Sequence, residues 1–98
     1  MRLPVVLRRE ALFEFDQAAD WYEKKRMGLG ITFTRAIDQT ICHLHDNPNS
    51  YAMVFHDVRE ALVKGFPYCI YFREEMNQIL VLSIFHTARD PYGWQKRV

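Results

Sequence analysis

Two apolar runs near the C-terminal end constrain this chain more than anything else in it. Residues 66–72 read FPYCIYF and residues 79–86 read ILVLSIFH, with the polar stretch Glu74-Glu75-Met76-Asn77 close between them. Short runs rich in β-branched and aromatic residues, joined by a tight loop, form a β-hairpin, here over Pro67–Arg73 and Gln78–His86. Ile79 to Ile84 is apolar except for Ser83, so the second strand lies centrally with little solvent on either face. It runs straight into T-A-R-D-P-Y-G-W. A rigid strand therefore delivers His86, Arg89, Asp90 and Trp94 to its C-terminal end.

Upstream the periodicity is helical. From about Glu10 to Met27, Leu12, Phe15, Ala19 and Tyr22 recur at three- and four-residue spacing, with Ala11 and Ala18 widening the stripe. Acids crowd the first turns and Lys24, Lys25 and Arg26 the last, which complements the helix dipole. Gly28 stands where a left-handed residue ends a helix. A second helix is predicted from Leu29 to Asp46, with Phe33, Ile37, Ile41 and Leu44 on its buried face. Asn47-Pro48 ends it, because the residue before proline avoids the helical region. The short link makes the two helices an antiparallel hairpin.

Leu3 to Leu7 is a short apolar run whose Pro4 lacks an N–H donor, which suits an edge strand or the start of a strand. Tyr51–Phe55 and Val58–Lys64 read as two further strands. The order strand, helix, helix, then three or four strands predicts an α+β fold, an antiparallel sheet with a helical hairpin on one face. One domain spanning residues 1–98 is expected from the length.

Thirteen Lys and Arg against twelve Asp and Glu leave no global basic field of the kind nucleic acid attracts. From Arg59 onward six bases face four acids, which leaves the C-terminal half modestly positive. No apolar run approaches the ~20 residues that cross a bilayer, and no secretory leader is evident. Cys42 and Cys69 sit in apolar patterns and read as small buried hydrophobes rather than a disulfide. His43 and His45 are spaced i, i+2 and point to different sides of a helix, so no metal site and no cofactor is expected. These readings together describe a reduced, cytoplasmic protein.

Several residues carry chemistry. His86 and Arg89 sit three apart at the strand exit, where they can bind an anion or move a proton, and Arg89 with Asp90 can lock the turn before Pro91. Arg59 and Lys64 project from different faces of one strand. Trp21 and Tyr22 beside Lys24, Lys25 and Arg26 are expected to pack within the helical hairpin. Gly28-Leu29-Gly30 follows a helix rather than a strand, so it is a helix–helix turn and not a phosphate loop. The aromatic residues outnumber what so small a core hides, so some of them should line a groove for a partner.

The motif set V-V-L-R at 5–8, A-D-W-Y-E at 19–23, G-L-G at 28–30, N-P at 47–48, D-V-R at 57–59, F-P-Y at 66–68 and F-H-T-A-R-D-P at 85–91, followed by Trp94, resembles the RelE/ParE superfamily of bacterial type II toxins, and within it the ParE-like branch. The resemblance runs the length of the chain in the same order. It implies a toxin neutralised by an antitoxin encoded in the adjacent gene, in a hetero-oligomer, of the kind associated with plasmid stabilization. The target it implies is DNA gyrase, inhibited by binding rather than by catalysis. The alternative activity in the superfamily is ribosome-dependent cleavage of mRNA, and a third reading is an inactive antitoxin-binding module.

Placed residue by residue, the nuclease pattern keeps Arg59 and Arg89, but Ala61 and Tyr68 stand where it has bases and Gln95 falls near its tyrosine. Cleavage through a 2′-hydroxyl needs a base, an acid and positive charge in one place. The chain is depleted for that, with Arg59, His86 and Arg89 as the remaining set, so no catalytic residue is assigned. Target contacts are expected from Arg89, Tyr92, Trp94, Lys96 and Arg97, with Trp94 as an exposed aromatic. Antitoxin contacts are expected from Trp21, Tyr22, Arg59, Tyr68, Tyr71 and Arg73.

Overall fold

A computed structural model describes residues 3–98. Strand β1 (Val5–Leu7) leads into helices α1 (Arg9–Lys25) and α2 (Leu29–Asp46). After a single 3₁₀ turn at Pro48–Ser50 come β2 (Met53–Phe55), β3 (Val58–Leu62), β4 (Tyr68–Glu75) and β5 (Gln78–His86), and a short helix α3 (Tyr92–Gln95) ends the fold. The five strands form one sheet in the order β1-β5-β4-β3-β2. The α+β architecture read from the sequence is the one observed. Strands β2 to β5 are antiparallel neighbours, whereas β1 joins the edge parallel to β5, with Val5 opposite Ile79 and Leu7 opposite Val81.

The helical hairpin is held by two devices. Gly28 takes a left-handed φ of 88°, which a residue with a Cβ adopts only with strain. Glu23, near the end of α1, turns its carboxylate onto the start of α2 and accepts from the N–H of Gly28 (3.0 Å) and of Gly30 (3.0 Å). An acid thus caps the helix from the preceding helix, meeting donors that have no partner within α2. At Gly30 the helices touch, since an added Cβ would stand 2.8 Å from the Ala19 carbonyl oxygen. The G-L-G motif is a packing device.

Alternation along the strands divides the core between two faces. On the helix side, Ala61, Ile70, Phe72, Val81 and Ile84 meet Ala18 of α1 and Phe33, Ile37 and Leu44 of α2. On the other side, Val58, Cys69, Tyr71, Leu82 and Phe85 are closed over by Trp94 of α3. Its indole lies nearly parallel to the Tyr71 ring (3.9 Å between centroids, 15°), with the Phe55 ring edge-on at 5.7 Å. Burying roughly 200 Å² of indole contributes about 5 kcal/mol.

Several local expectations are corrected. Leu12, placed in the α1 stripe, is 49% exposed, and α1 faces the core through Ala11 and Ala18 with Phe15, Ala19 and Tyr22 half-buried. Cys42 is exposed on α2, whereas Cys69 is buried. Tyr51 precedes β2, and β3 stops at Leu62. The hairpin turn is only Met76-Asn77, both at positive φ (51° and 60°), because Glu74 and Glu75 still pair with Ile79 and Gln78. Such a two-residue turn matches the twist of its strands.

Trp94 is the largest correction. Expected at the surface, it is 2% exposed.

Candidate functional groove

β5 has nine residues and β1 pairs with only its Ile79–Val81 part, so among the described residues the edge from Leu82 onward has no strand beside it. Side chains close that edge. Glu14 of α1 accepts from Ser83 Oγ (2.8 Å) and from the Ile84 backbone N–H (3.2 Å). Arg97 of the tail donates to Glu14 Oε1 (3.1 Å) and Oε2 (3.2 Å), and its Nη1 also donates to the Leu82 carbonyl (3.3 Å). Arg8 Nη1 donates to the Arg97 carbonyl (3.0 Å), which ties the tail to the start of α1. Every polar group of Glu14 and most of Arg97 are used in this way, which explains how both charges are tolerated mostly out of water.

Above this closed edge, between α1, the start of β4 and the exit of β5, runs a groove of about 490 Å³. Glu14, Gln17, Ala18 and Trp21 line it at helical spacing from α1; Pro67 comes from just before β4 and Tyr68 from its start, Ile84 and His86 from β5, and Arg89 from the turn beyond. A second trough of about 450 Å³ continues it along α1 past Phe13 and Arg9, sharing Glu14, Gln17 and Arg89. Trp21 stands 56% exposed at one end and Phe13 60% exposed at the other. The lining is mostly apolar, with a few placed polar groups, the usual make-up of a binding cleft.

The polar groups are mainly donors. His86 Nδ1 accepts the Ala88 N–H (3.0 Å), so a neutral ring carries its hydrogen on Nε2. Its ring meets Tyr68 edge-on at 5.2 Å, the two residues being paired across the ladder. Burial pushes the Tyr68 phenol above its ordinary pKa, as do Tyr22 and Glu14, while Arg89 pulls it down. The Arg89 guanidinium lies 4.7 Å over the Phe85 ring, which fixes its place at the groove rim. Asp90 turns away and accepts the Tyr92 N–H (3.0 Å), so the expected Arg89–Asp90 pair does not form. Among the described residues no carboxylate lies within ion-pair distance of Arg89.

The structure thus brings Trp21, Tyr22, Tyr68, His86 and Arg89 together. Trp21, expected inside the hairpin, stands out at the groove with Lys25 Nζ 4.8 Å over its ring. Arg59 is elsewhere: its guanidinium donates to the carbonyls of Asn49 and Tyr51, and its strand position pairs with Phe72, opposite Val81. Strand spacing puts it roughly 20 Å from His86. Tyr71 is under Trp94 on the far face, donating to Glu60 (3.0 Å), and Arg73 pairs with Asp57 and Glu75. Of the tail residues, Tyr92 and Lys96 are exposed, while Arg97 is held by Glu14.

Glu14 and Gln17 were missed as groove residues. The one clue was an acid set between two phenylalanines in ALFEFDQAA. Among the described residues no cluster of three His, Cys, Asp or Glu side chains could hold a metal ion. No helix among them is long and apolar enough to cross a membrane.

Comparison with known proteins bears on the fold and the family. The chromosomal ParDE toxin–antitoxin system from P. aeruginosa contains a chain of the same fold, with a TM-score of 0.74 at 20% identity over 87% of this chain and 96% of that one. Comparison with curated protein sequences finds no match. Residues 5–91, nearly the whole chain, match the family described as the ParE toxin of the parDE type II toxin–antitoxin system, and the chain belongs to that family.

Proposed function

We propose that this ParE-family toxin acts by binding DNA gyrase and trapping its cleaved-DNA state, and that an antitoxin from the adjacent gene silences it by seating a segment in the α1–β5 groove. The observation that carries the binding mode is the dispersal of the nuclease residues. Arg59 is committed to backbone carbonyls far from His86 and Arg89. A ribonuclease needs its bases around one phosphate. The groove supports the antitoxin half of the reading, because exposed Trp21 and Phe13 flank an apolar trough with an unneutralised arginine. Such clefts take the apolar face of a partner segment, with aromatic anchors at the centre. Arg89, Tyr92 and Lys96 are the accessible members of the expected target set.

The test is expression without antitoxin, with purified gyrase assayed alongside. Accumulation of linear, protein-linked DNA that rises with toxin supports the reading. Its absence over a wide toxin range counts against it. A second reading, ribosome-dependent mRNA cleavage, draws on His86 and Arg89 sharing one groove with Tyr68. Codon-spaced breaks in primer extension that vanish in His86→Ala and Arg89→Ala would favour that reading. Harmless expression at high soluble yield would favour an inactive antitoxin-binding module. On the lead reading the toxin works in the cytoplasm, where gyrase is.

A further inference from the structure

The polar inventory of the groove is one-sided. Its acid, Glu14, is engaged by Ser83, Ile84 and Arg97, with Arg97 neutralising its charge. What remains on offer at the β5 exit is a set of donors: the Arg89 guanidinium, the His86 Nε2–H and the Tyr68 hydroxyl. Arg89 is fixed on the Phe85 ring with no carboxylate of the described residues to neutralise it. The His86 ring is fixed by the Ala88 N–H and by Tyr68. Donors held in place before a ligand arrives favour an acceptor with several lone pairs and negative charge.

We propose that Arg89, His86 and Tyr68 form a receptor for one carboxylate, an Asp or Glu of the antitoxin segment, lying between apolar side chains that fill the Trp21–Ile84 stretch of the groove. This rests on the reading of the groove as the antitoxin site. The closed β5 edge sharpens it. The Ile84 N–H and the Leu82 carbonyl are already taken by Glu14 and Arg97, and the His86 carbonyl accepts from the Arg89 N–H (3.1 Å). A partner therefore finds few backbone groups to pair with and is read through its side chains. In such a mode one charged contact sets register and orientation while the apolar contacts supply area. A carboxylate is favoured over a phosphodiester because the groove walls are apolar on both sides of the donors and the adjoining trough adds only Arg9 as a further base once Arg97 is held by Glu14, too few for a run of phosphates.

The experiment measures affinity of the full-length toxin for the full-length product of the neighbouring antitoxin gene. Arg89→Glu is expected to weaken binding about tenfold to hundredfold, and Tyr68→Phe by a few-fold. Among Asp→Lys and Glu→Lys variants of the antitoxin, one should recover most of the affinity toward Arg89→Glu while weakening binding to the unaltered toxin. The Arg89 side chain is exposed and rests on the Phe85 ring, and an unchanged thermal melt of Arg89→Glu confirms that the fold is kept. If Trp21→Ala weakens binding but Arg89→Glu does not, the groove reading stands and the carboxylate receptor is overturned. If neither variant weakens it, the groove is not the antitoxin site. If Arg89→Glu weakens binding, no charge swap recovers it, and the toxin instead holds a single-stranded oligonucleotide through Arg89, the receptor is for phosphate and the proposal fails.

Discussion

Glu14 and Arg97, 83 positions apart in the chain, face each other through two parallel contacts, Nη1 to Oε1 at 3.1 Å and Nη2 to Oε2 at 3.2 Å. Only 11% of the Glu14 side chain and 19% of the Arg97 side chain is exposed. A two-pronged pair this sheltered behaves differently from a surface ion pair, because removing one partner strands the other. Glu14 also holds Ser83 and the Ile84 N–H, so it carries more than the pair. We expect Glu14→Ala to cost about 2–4 kcal/mol and Arg97→Ala less, about 1–3 kcal/mol, in urea unfolding. The double variant should cost less than the sum, since the two single losses share one interaction. Strict additivity would show that the contact contributes nothing.

The same tail anchors the far face of the sheet. Sequence reasoning made it a surface determinant, with Tyr92, Trp94, Lys96 and Arg97 offered to a target. With Trp94 stacked on Tyr71 and Gly93 pressed to Phe85, truncation uncovers Tyr71, Leu82 and Phe85 together. We expect the truncated chain to lose cooperative unfolding or to aggregate, and Trp94→Ala alone to cost about 3–5 kcal/mol. Trp94→Phe should cost about 1 kcal/mol or less, because Nε1 has no acceptor among the described residues. Tyr92→Ala with Lys96→Ala should leave the melt unchanged, which makes that pair the clean probe of target contact. A stable, cooperative truncated chain would return the tail to the surface role.

At the helical hairpin, glycine is required for two different reasons at two positions. Gly30→Ala forces a Cβ to 2.8 Å from a backbone oxygen, so the helices must part, at about 2–3 kcal/mol. Gly28→Ala meets no atom within 4 Å and costs only the left-handed strain, about 1 kcal/mol. Glu23→Ala strands the Gly28 and Gly30 N–H groups and should fall between them, near 1–2 kcal/mol. Thermal melts of the three variants check the order, and a Gly28→Ala loss as large as that of Gly30→Ala would refute it.

The elements were legible where punctuation is local. α2 runs from Leu29 to Asp46 as read, because Gly28 and Asn47-Pro48 act within a residue or two of the helix ends. β5 was legible because its apolar run has no competing helical spacing. The α1 face was read less well. In a stretch holding Leu12, Phe13, Phe15, Trp21 and Tyr22, several stripes fit a 3.6 period, and only the packing of small Ala11 and Ala18 against the sheet picks one. Trp94 was misplaced because a four-residue helix has no periodicity to read, and its partner Tyr71 is distant in sequence. The groove was half legible. His86 and Arg89 follow from the strand exit, whereas the Glu14 plug exists only once α1 lies along the uncovered edge of β5.

Alkaline pH should expose the far-face core. Tyr71 has its phenol pushed well above the ordinary value, chiefly by burial, then by neighbouring Cys69 and by Glu60. Burial likewise raises the Cys69 thiol, with Glu60 adding to it. For a group whose folded pKa is raised, the stability contribution is full below the unfolded pKa and is lost as pH climbs toward the folded one. The window therefore opens near pH 9 for the thiol and near pH 10 for the phenol, each removing up to about 1.4 kcal/mol per pH unit. Stability below about pH 8 should be indifferent to both. Tyr71→Phe should flatten the alkaline decline in urea midpoints, although it also leaves Glu60 without its donor. A thiol reagent supplies an independent check: exposed Cys42 should react at once, and Cys69 only on unfolding. Two cysteines modified at equal rates in the native protein, or a Tyr71→Phe decline as steep as that of the unaltered chain, would show that this face opens to solvent before its groups titrate.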